Sequence, residues 1–184
     1  RVVREFTDGR LVTERALETT GGTITQQTTA YDPHGRVSSI TDLRNGATDL
    51  TYNAADLVVT ETTPPDPDTV RHVTTTTYDT SLRPTQVLQP DGTTVHTQYD
   101  LKGQVAKTFG SRTYPVEFTY DAQGRRRTMT TWKDFDESTG FGVAGSAVTY
   151  WNYDPYRGWL ASKDYPATDG SQGTGGPVYT HTAA

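Results

Sequence analysis

The sequence has no cysteine, so its 184 residues can form neither a disulfide nor a thiolate metal site. It also has no apolar run of 18 residues, the length that a membrane-spanning helix requires. Good helix formers are scarce, with one methionine and few lysines. The formal net charge of −5 argues against a protein that binds nucleic acid through a basic surface. We therefore expect no nucleic-acid partner and no membrane span.

Threonine is the abundant residue, with 36 copies, about a fifth of the chain. The sequence adds 11 tyrosines and 3 tryptophans, and threonine, tyrosine and tryptophan all favour strands. The 17 glycines and 10 prolines are spread throughout and interrupt these stretches. The composition predicts many short strands joined by many turns.

One short phrase recurs along the chain: an aromatic residue, Asp or Asn, two variable residues, Gly, and then a basic or apolar residue. The aromatic position falls at residues 6, 31, 52, 78, 99, 120 and 153, which fits a unit of 21 residues with occasional insertions. The residues predicted to build the repeat are Tyr31, Asp32, Gly35, Arg36, Tyr52, Tyr78, Asp79, Tyr99, Asp100, Gly103, Tyr120, Asp121, Gly124, Arg125, Tyr153, Asp154 and Gly158.

The chemistry of a hairpin turn explains the phrase. The aspartate side chain accepts backbone N–H bonds, and the glycine takes the left-handed conformation that follows. We expect positive φ at Gly35, Gly103 and Gly124, each at a hairpin tip. Asp56 can adopt this conformation where the glycine is missing. Leu82 adopts it less easily, so a longer or different loop is expected there.

Between the turns, apolar and polar residues alternate, as Tyr114, Val116 and Phe118 show. Each unit is therefore two strands and two turns, and neighbouring hairpins must pair edge to edge. The prediction is an all-β fold of consecutive antiparallel hairpins in a curved, spiralling strip. The repeat tyrosines are expected on one face and mostly buried.

The repeats are expected to cover residues 1–165, with loop insertions at 61–70 and 132–146. A Gly-rich segment, 166–184, leads toward a further strand or repeat. Because copies begin at the first residues and the spacing still runs near the last ones, we expect a fragment of a longer array.

The Tyr-Asp-x-x-Gly-Arg phrase resembles the YD repeat of Rhs proteins, of toxin-complex shell components and of teneurins. The resemblance covers the chain from about Phe6 to Leu160. It implies a hairpin strip that forms part of a hollow shell around a toxic C-terminal polypeptide or, in teneurins, a barrel used for adhesion. It also implies a secreted or cell-surface protein of structural function. The partners would be the remainder of the same polypeptide and an enclosed cargo.

A second function stays open, that of a cell-surface adhesion or carbohydrate-binding module with a glycan or protein ligand. The aromatic cluster of Trp151, Tyr153, Tyr156 and Trp159 could be a ligand platform, but a packed hairpin is the favoured interpretation. Open strand edges also allow self-association.

Catalytic and metal chemistry find little support in the sequence, and we expect no cofactor. The repeat aspartates recur where a turn needs them. The acidic run 134–137 has oxygen donors for Ca²⁺, but it lacks the full EF-hand pattern and a solvated loop is the favoured interpretation. His34, His72, His96 and His181 lack metal-site spacing, and the basic run 125–127 fits a strand edge.

An enzyme is not expected. Family members that cleave themselves carry a segment of Arg-aromatic-aliphatic-Ser-x-Asp-Pro-aliphatic-Gly character. The stretch from Gly158 to Asp164 echoes this segment, but Tyr165 replaces the proline and no aliphatic-Gly pair follows. Self-cleavage is therefore not expected here, and the Gly-rich residues 173–176 are not a phosphate-binding loop.

Overall fold

A computed structural model of the protein describes residues 1–167 and 177–179. The described residues form fourteen strands and no helix, so they contain no helix long and apolar enough to cross a membrane. The chain divides into two compact units, Arg1–Gly92 and Thr93–Ala184. The predicted all-β class is confirmed.

Short strands fill both units. The first unit contains β1 (Val2–Thr7), β2 (Arg10–Leu17), β3 (Thr23–Tyr31), β4 (Val37–Asp42), β5 (Gly46–Tyr52), β6 (Val58–Thr62), β7 (Val73–Tyr78) and β8 (Pro84–Leu88). The second unit contains β9 (Thr94–Tyr99), β10 (Val105–Gly110), β11 (Thr113–Tyr120), β12 (Arg126–Asp136), β13 (Phe141–Tyr153) and β14 (Leu160–Asp164).

Within each unit, every strand pairs with its neighbours in the sequence, and all pairs are antiparallel. The result is the open sheet of consecutive hairpins that the repeats predict. The phrase-bearing turns join β3 to β4, β5 to β6, β7 to β8, β9 to β10, β11 to β12 and β13 to β14. In each unit they therefore lie at one end of the strands, and the other turns lie at the opposite end.

The tyrosines of each unit share one face, as predicted. In the first unit, the paired row Ala30–Ser39–Asp49–Thr62–Val73 lies on the other face. Side chains alternate between the two faces along a strand, and each tyrosine is an odd number of residues from the row member on its own strand. Tyr31, Tyr52 and Tyr78 therefore point to the face opposite that row. The same reasoning from the row Gln98–Lys107–Glu117–Thr130–Val148 places Tyr99, Tyr120 and Tyr153 on one face of the second unit.

The tyrosine rings are half-buried, less than expected. Among the described residues, Phe109 is the only buried apolar side chain, 6% exposed. A single-layer sheet explains both observations, because no second layer lies over the rings in the described part of the chain.

The hairpin tips follow the predicted turn chemistry, with φ of 85° at Gly35, 86° at Gly103 and 82° at Gly124. Asp56 also takes the left-handed conformation, with φ of 61°. The different loop expected at Leu82 is wrong, because Leu82 adopts φ of 64° and donates its N–H to the Asp79 carbonyl at 3.0 Å. The other contacts of the turn hold this leucine in a conformation that costs it energy.

The insertion at 132–146, expected as a loop, is instead a hairpin arm. β12 and β13 continue their pairing from Trp132↔Ser146 to Asp136↔Phe141, which leaves only residues 137–140 at the tip. The two strands continue into the arm because its aromatic rings pack against each other. The ring centroids of Trp132 and Phe135 are 5.4 Å apart. The prediction missed this because glycines there resemble loop residues.

The insertion at 61–70 is displaced by about two residues, since β6 runs to Thr62 and the connection covers residues 63–72. It contains a further copy of the repeat turn, in which the Asp66 N–H donates to the Val70 carbonyl and the Thr69 N–H donates to the Asp66 carbonyl, both at 2.9 Å. Within the predicted Gly-rich segment, Val178 pairs with Ser162. Residues 173–176 and His181 lie outside the described residues.

Replacing Leu82 by glycine should stabilise the protein. Relief of left-handed strain of about 1–2 kcal/mol outweighs the extra backbone entropy of glycine, about 0.5–1 kcal/mol, so the net gain is about 0.5–1 kcal/mol. Chemical denaturation measures it. The matched control is Leu101→Gly in the Asp100 turn, because Leu101 is exposed and is not among the residues with positive φ. Equal losses of stability in both variants would contradict the strain at Leu82.

Candidate functional site

Each repeat turn is closed by its aspartate. In the first complete copy, the Asp32 Oδ1 atom accepts the Arg36 backbone N–H at 2.9 Å. The Asp32 N–H donates to the Arg36 carbonyl at 2.8 Å, and the Gly35 N–H donates to the Asp32 carbonyl at 2.9 Å. The side-chain bonds recur at Asp79, Asp100, Asp121 and Asp154, and with the amide oxygen of Asn53. These aspartates therefore act as turn acceptors.

The arginine after the glycine joins its own turn to the next one. Arg36 Nε donates to Asp32 Oδ2 at 2.7 Å, while Nη1 of the same guanidinium donates to Asp56 Oδ1 at 2.6 Å in the following turn. Arg125 repeats the arrangement, with 2.6 Å to Asp121 Oδ2 and 2.9 Å to the Gly158 carbonyl. A planar guanidinium suits this task because its donors point in several fixed directions.

The tyrosine of the following repeat completes the contact. The Arg36 Cζ atom lies 4.6 Å from the ring centroid of Tyr52, and Arg125 Cζ lies 4.2 Å from that of Tyr153. The Tyr52 hydroxyl donates to the Val37 carbonyl at 2.6 Å. The same bond links Tyr31 to Leu11, Tyr78 to Val58, Tyr120 to Val105 and Tyr153 to Arg126, at 2.7–2.9 Å.

We call this set the repeat clasp: the turn aspartate, the arginine that follows the glycine, and the tyrosine of the next repeat. The accepting carbonyl always belongs to the residue after the arginine position, so the clasp has the period of the repeat. The sequence predicted the residues but not the link between turns. The spacing from the arginine position to the next tyrosine differs between repeats, so the sequence carried no fixed-length signal for this link.

The clasp favours ionised aspartates. Burial opposes the charge of Asp32 and Asp121, but bonds from Arg36 and Arg125 outweigh it, so both pKa values lie below the ordinary 3.8. The Arg83 side chain and backbone likewise lower the pKa of Asp79. These groups are therefore charged turn acceptors at neutral pH rather than proton donors.

Some copies of the clasp lack the arginine. Gln104 takes the arginine position and donates to the Gly124 carbonyl at 2.8 Å, but its Oε1 atom is buried without a hydrogen-bond partner. The turn at Asn53 has Leu57 in the same position, where no charged link can form. Successive repeats are thus joined with unequal strength.

A second cluster surrounds Lys107, which is only 8% exposed. Its Nζ atom lies 2.9 Å from Glu117 Oε2 and donates to the Gly140 carbonyl at 3.1 Å. The ammonium also lies 5.7 Å from the ring centroid of Trp132 and 5.3 Å from that of Phe141. Lys107 thereby fastens the tip of the β12–β13 arm onto the sheet.

Glycine residues of the arm lie against aromatic rings, so that backbone covers these rings. The Phe109 ring stacks on His96 with centroids 4.9 Å apart and contacts Phe135 at 5.5 Å. A Cβ atom on Gly140 would lie 3.1 Å from Phe109, and one on Gly142 would collide with the Trp132 indole. The sequence analysis did not find this cluster, because its members come from four strands.

The other candidate residues have structural surroundings. Asp136 accepts bonds from Ser138 and Thr139 in the arm tip, and His72 lies 3.3 Å from Asp66. No group of three metal-ligating side chains occurs in residues 1–167 and 177–179. In the aromatic cluster, the Trp151 ring centroid lies 5.6 Å from Arg126 Cζ and 5.0 Å from Lys163 Nζ, whereas Tyr156 is 94% exposed. Asp134 and Glu137 belong to the arm.

Comparison with known proteins agrees with this geometry. The family model of the RHS repeat matches residues 31–69, which include the Asp32 and Asn53 turns. Over these residues the chain resembles Rhs-repeat proteins. The resemblance to YD-repeat proteins is thereby confirmed, while a search of curated proteins finds no match.

Solved structures share the fold at low identity. The crystal structure of TcdB2–TccC3 has a TM-score of 0.65 at 13% identity, over 92% of this chain. TcdB2–TccC3–Cdc42 gives 0.63 at 13% over 87%, and a Photorhabdus luminescens Tc holotoxin pore carrying a TccC3 mutation gives 0.61 at 17% over 93%. The matched part of this chain spans 9% of the length of each of these longer chains.

Completing the weak clasp should stabilise the protein. In Gln104→Arg, the guanidinium can pair with Asp100 and still reach Gly124, as Arg36 and Arg125 do in their copies. The buried Oε1 atom is also removed, so we expect a gain of about 1 kcal/mol in the free energy of unfolding. Leu57→Arg is the control, since Asn53 offers no carboxylate there. An equal gain from Leu57→Arg, or none from Gln104→Arg, would contradict the role of the aspartate.

Acid should weaken the clasp. The folded-state pKa values of Asp32, Asp79 and Asp121 lie below 3.8, so their contribution to stability is complete above that value and is lost as the pH falls through the folded-state values. The triple Asp→Asn variant keeps the turn acceptor, as Asn53 does, but loses the charge. Thermal denaturation between pH 2 and 7 should show a shallower acid dependence for the variant, and equal slopes would contradict the charged clasp.

Proposed function

We propose that this chain is a wall segment of a hollow shell in an Rhs-type protein, where it helps to enclose a C-terminal toxin or other cargo polypeptide. The repeat clasp is the observation that carries the proposal. Where the arginine is present, as at Arg36 and Arg125, a turn is held by the turn before it, so hairpins can be added one after another without a separate core. A wall that must grow with the size of its contents needs such a repeating contact.

The chemistry of the sheet supports a scaffold role. Its charged residues are largely engaged with one another, as in Arg36 with Asp32 and Arg83 with Asp79, rather than gathered in a catalytic group. The likeness to TcdB2–TccC3 structures supports a shell or scaffold role as well. The cargo, the secreted or cell-surface location and the partners within the same polypeptide belong to the proposal.

The mechanism is physical and not enzymatic. A closed wall keeps a partly folded polypeptide away from proteases and from other proteins until release. The stretch that echoes a self-cleaving segment contains strand β14. Its Ser162 and Asp164 side chains accept hydrogen bonds from Asn152 Nδ2, at 2.9 Å to Ser162 Oγ and 2.8 Å to Asp164 Oδ2.

Limited proteolysis of the full-length protein tests the proposal. The region that follows the repeats should resist protease in the parent protein and become sensitive in Arg36→Ala/Arg125→Ala, because this variant opens two clasps. Arg44→Ala is the control, since Arg44 bonds the Ile24 carbonyl at the opposite end of the strands. Cleavage of that region at equal rates in the parent and in the denatured protein would overturn the proposal.

A further inference from the structure

In several repeat turns, the residue at the glycine position is contacted by the residue at the arginine position of the preceding turn. Arg36 Nη1 donates to Asp56 Oδ1 at 2.6 Å, and Asp56 stands where the phrase has glycine. Gln104 Nε2 donates to the Gly124 carbonyl at 2.8 Å. We call the residue at the arginine position the sending residue and the residue at the glycine position of the next turn the receiving residue.

A receiving glycine leaves room for the sending side chain. Arg125 Nη1 donates to the Gly158 carbonyl at 2.9 Å, and a Cβ atom on Gly158 would lie 2.7 Å from that nitrogen. A Cβ atom on Gly35 would likewise collide with the Arg10 guanidinium. Positive φ is therefore one reason for glycine at this position, and space for the sending group is a second.

One junction of the first unit has leucine at both positions, with Leu57 sending and Leu82 receiving. The Tyr78 hydroxyl donates to the carbonyl of the residue after Leu57, as the tyrosine hydroxyl at the Arg36 junction does. In both junctions the receiving residue follows the tyrosine by four residues and has positive φ. Leu57 is therefore directed at Leu82 in the way that Arg36 reaches its own receiving residue.

We infer that sending and receiving residues form matched pairs, which specify the turn that follows each turn. A sending guanidinium needs an acceptor, and it finds the backbone carbonyl of Gly158 or the carboxylate of Asp56. Leu57 has no polar group to satisfy, so the apolar Leu82 suits it. A guanidinium sent to a leucine would meet a Cβ atom and no side-chain acceptor, and a leucine sent to Asp56 would leave that carboxylate without its cation.

A strip of similar hairpins has a use for such pairs. The backbone ladder is alike at every junction, so it cannot distinguish the correct neighbouring hairpin from another repeat or from another copy of the chain. A mismatched pair weakens the wrong junction, whereas a matched pair strengthens the right one. The pairs thereby favour pairing in sequence order, and this inference does not depend on what the strip encloses.

Exchanging the two kinds of pair tests the inference by double-mutant cycles in the full-length protein. At the leucine junction the variants are Leu57→Arg, Leu82→Asp and both together. At the arginine junction they are Arg36→Leu, Asp56→Leu and both together. Each cycle cancels the effect that a single change has by itself, including the strain of a leucine with positive φ, and leaves only the coupling between the two positions.

Hydrogen–deuterium exchange at the receiving turn is the readout, because it reports the local opening of that turn. The Leu82 N–H donates to the Asp79 carbonyl at 3.0 Å, and the Asp56 N–H donates to the Asn53 carbonyl at 3.2 Å. Exchange rates are divided by those of the same variant after denaturation. The control cycle combines Leu57→Arg with Leu101→Asp, because Leu101 is exposed and does not follow Leu57 in the next turn.

We expect each double variant to exchange about threefold more slowly than the product of its two single effects, and the control cycle to be additive. Additive effects at both junctions would overturn the matched pairs. Coupling at the arginine junction alone would overturn the leucine pair, and the contact would then be a single ion pair rather than a rule of the repeat. A double variant that folds less well than both of its single variants would also overturn the inference.

Discussion

A single-layer sheet has almost no interior, and this constraint governs the rest of the molecule. Among the described residues only Phe109 is a buried apolar side chain, so burial of a core cannot be what holds successive hairpins together. The backbone ladders join the strands, but they leave the hairpins free to splay and twist. The clasp at the turns supplies the missing restraint, because the guanidinium groups of Arg36 and Arg125 each contact their own turn and the next one.

The clasp also explains why the repeat tolerates change in some positions. Asn53 replaces an aspartate and keeps the turn, because an amide oxygen accepts the same backbone bonds. Leu82 replaces a glycine and keeps the turn at the expense of strain. The tyrosine hydroxyl depends on no side chain of the preceding repeat, because its acceptor is a backbone carbonyl. This part of the clasp therefore survives where the arginine position holds Leu57, as Tyr78 shows.

Much of the fold could be predicted from the sequence, since strand alternation and turn chemistry are local. Asp32 and Gly35 predict a turn within four residues, and the recurring tyrosine indicates the length of the hairpin unit. The link between Arg36 and the Asp56 turn could not be predicted, because it depends on how far neighbouring hairpins are offset. The Asp66 turn was missed for another reason: Thr69 stands where the phrase has glycine.

The arm at 132–146 shows how an insertion can be absorbed by the same sheet. Its glycines made it look like a loop, yet they are the residues that let the Phe109 and Trp132 rings pack against backbone. The added strand length would otherwise expose these rings on a face that nothing else covers within the described residues. Lys107 adds an ion pair and a carbonyl bond at the arm tip, which turns a flexible extension into a fixed cover. An insertion at the opposite end from the phrase-bearing turns thereby leaves every clasp of the unit undisturbed, so the wall can be elaborated on one side while the repeating contact continues on the other.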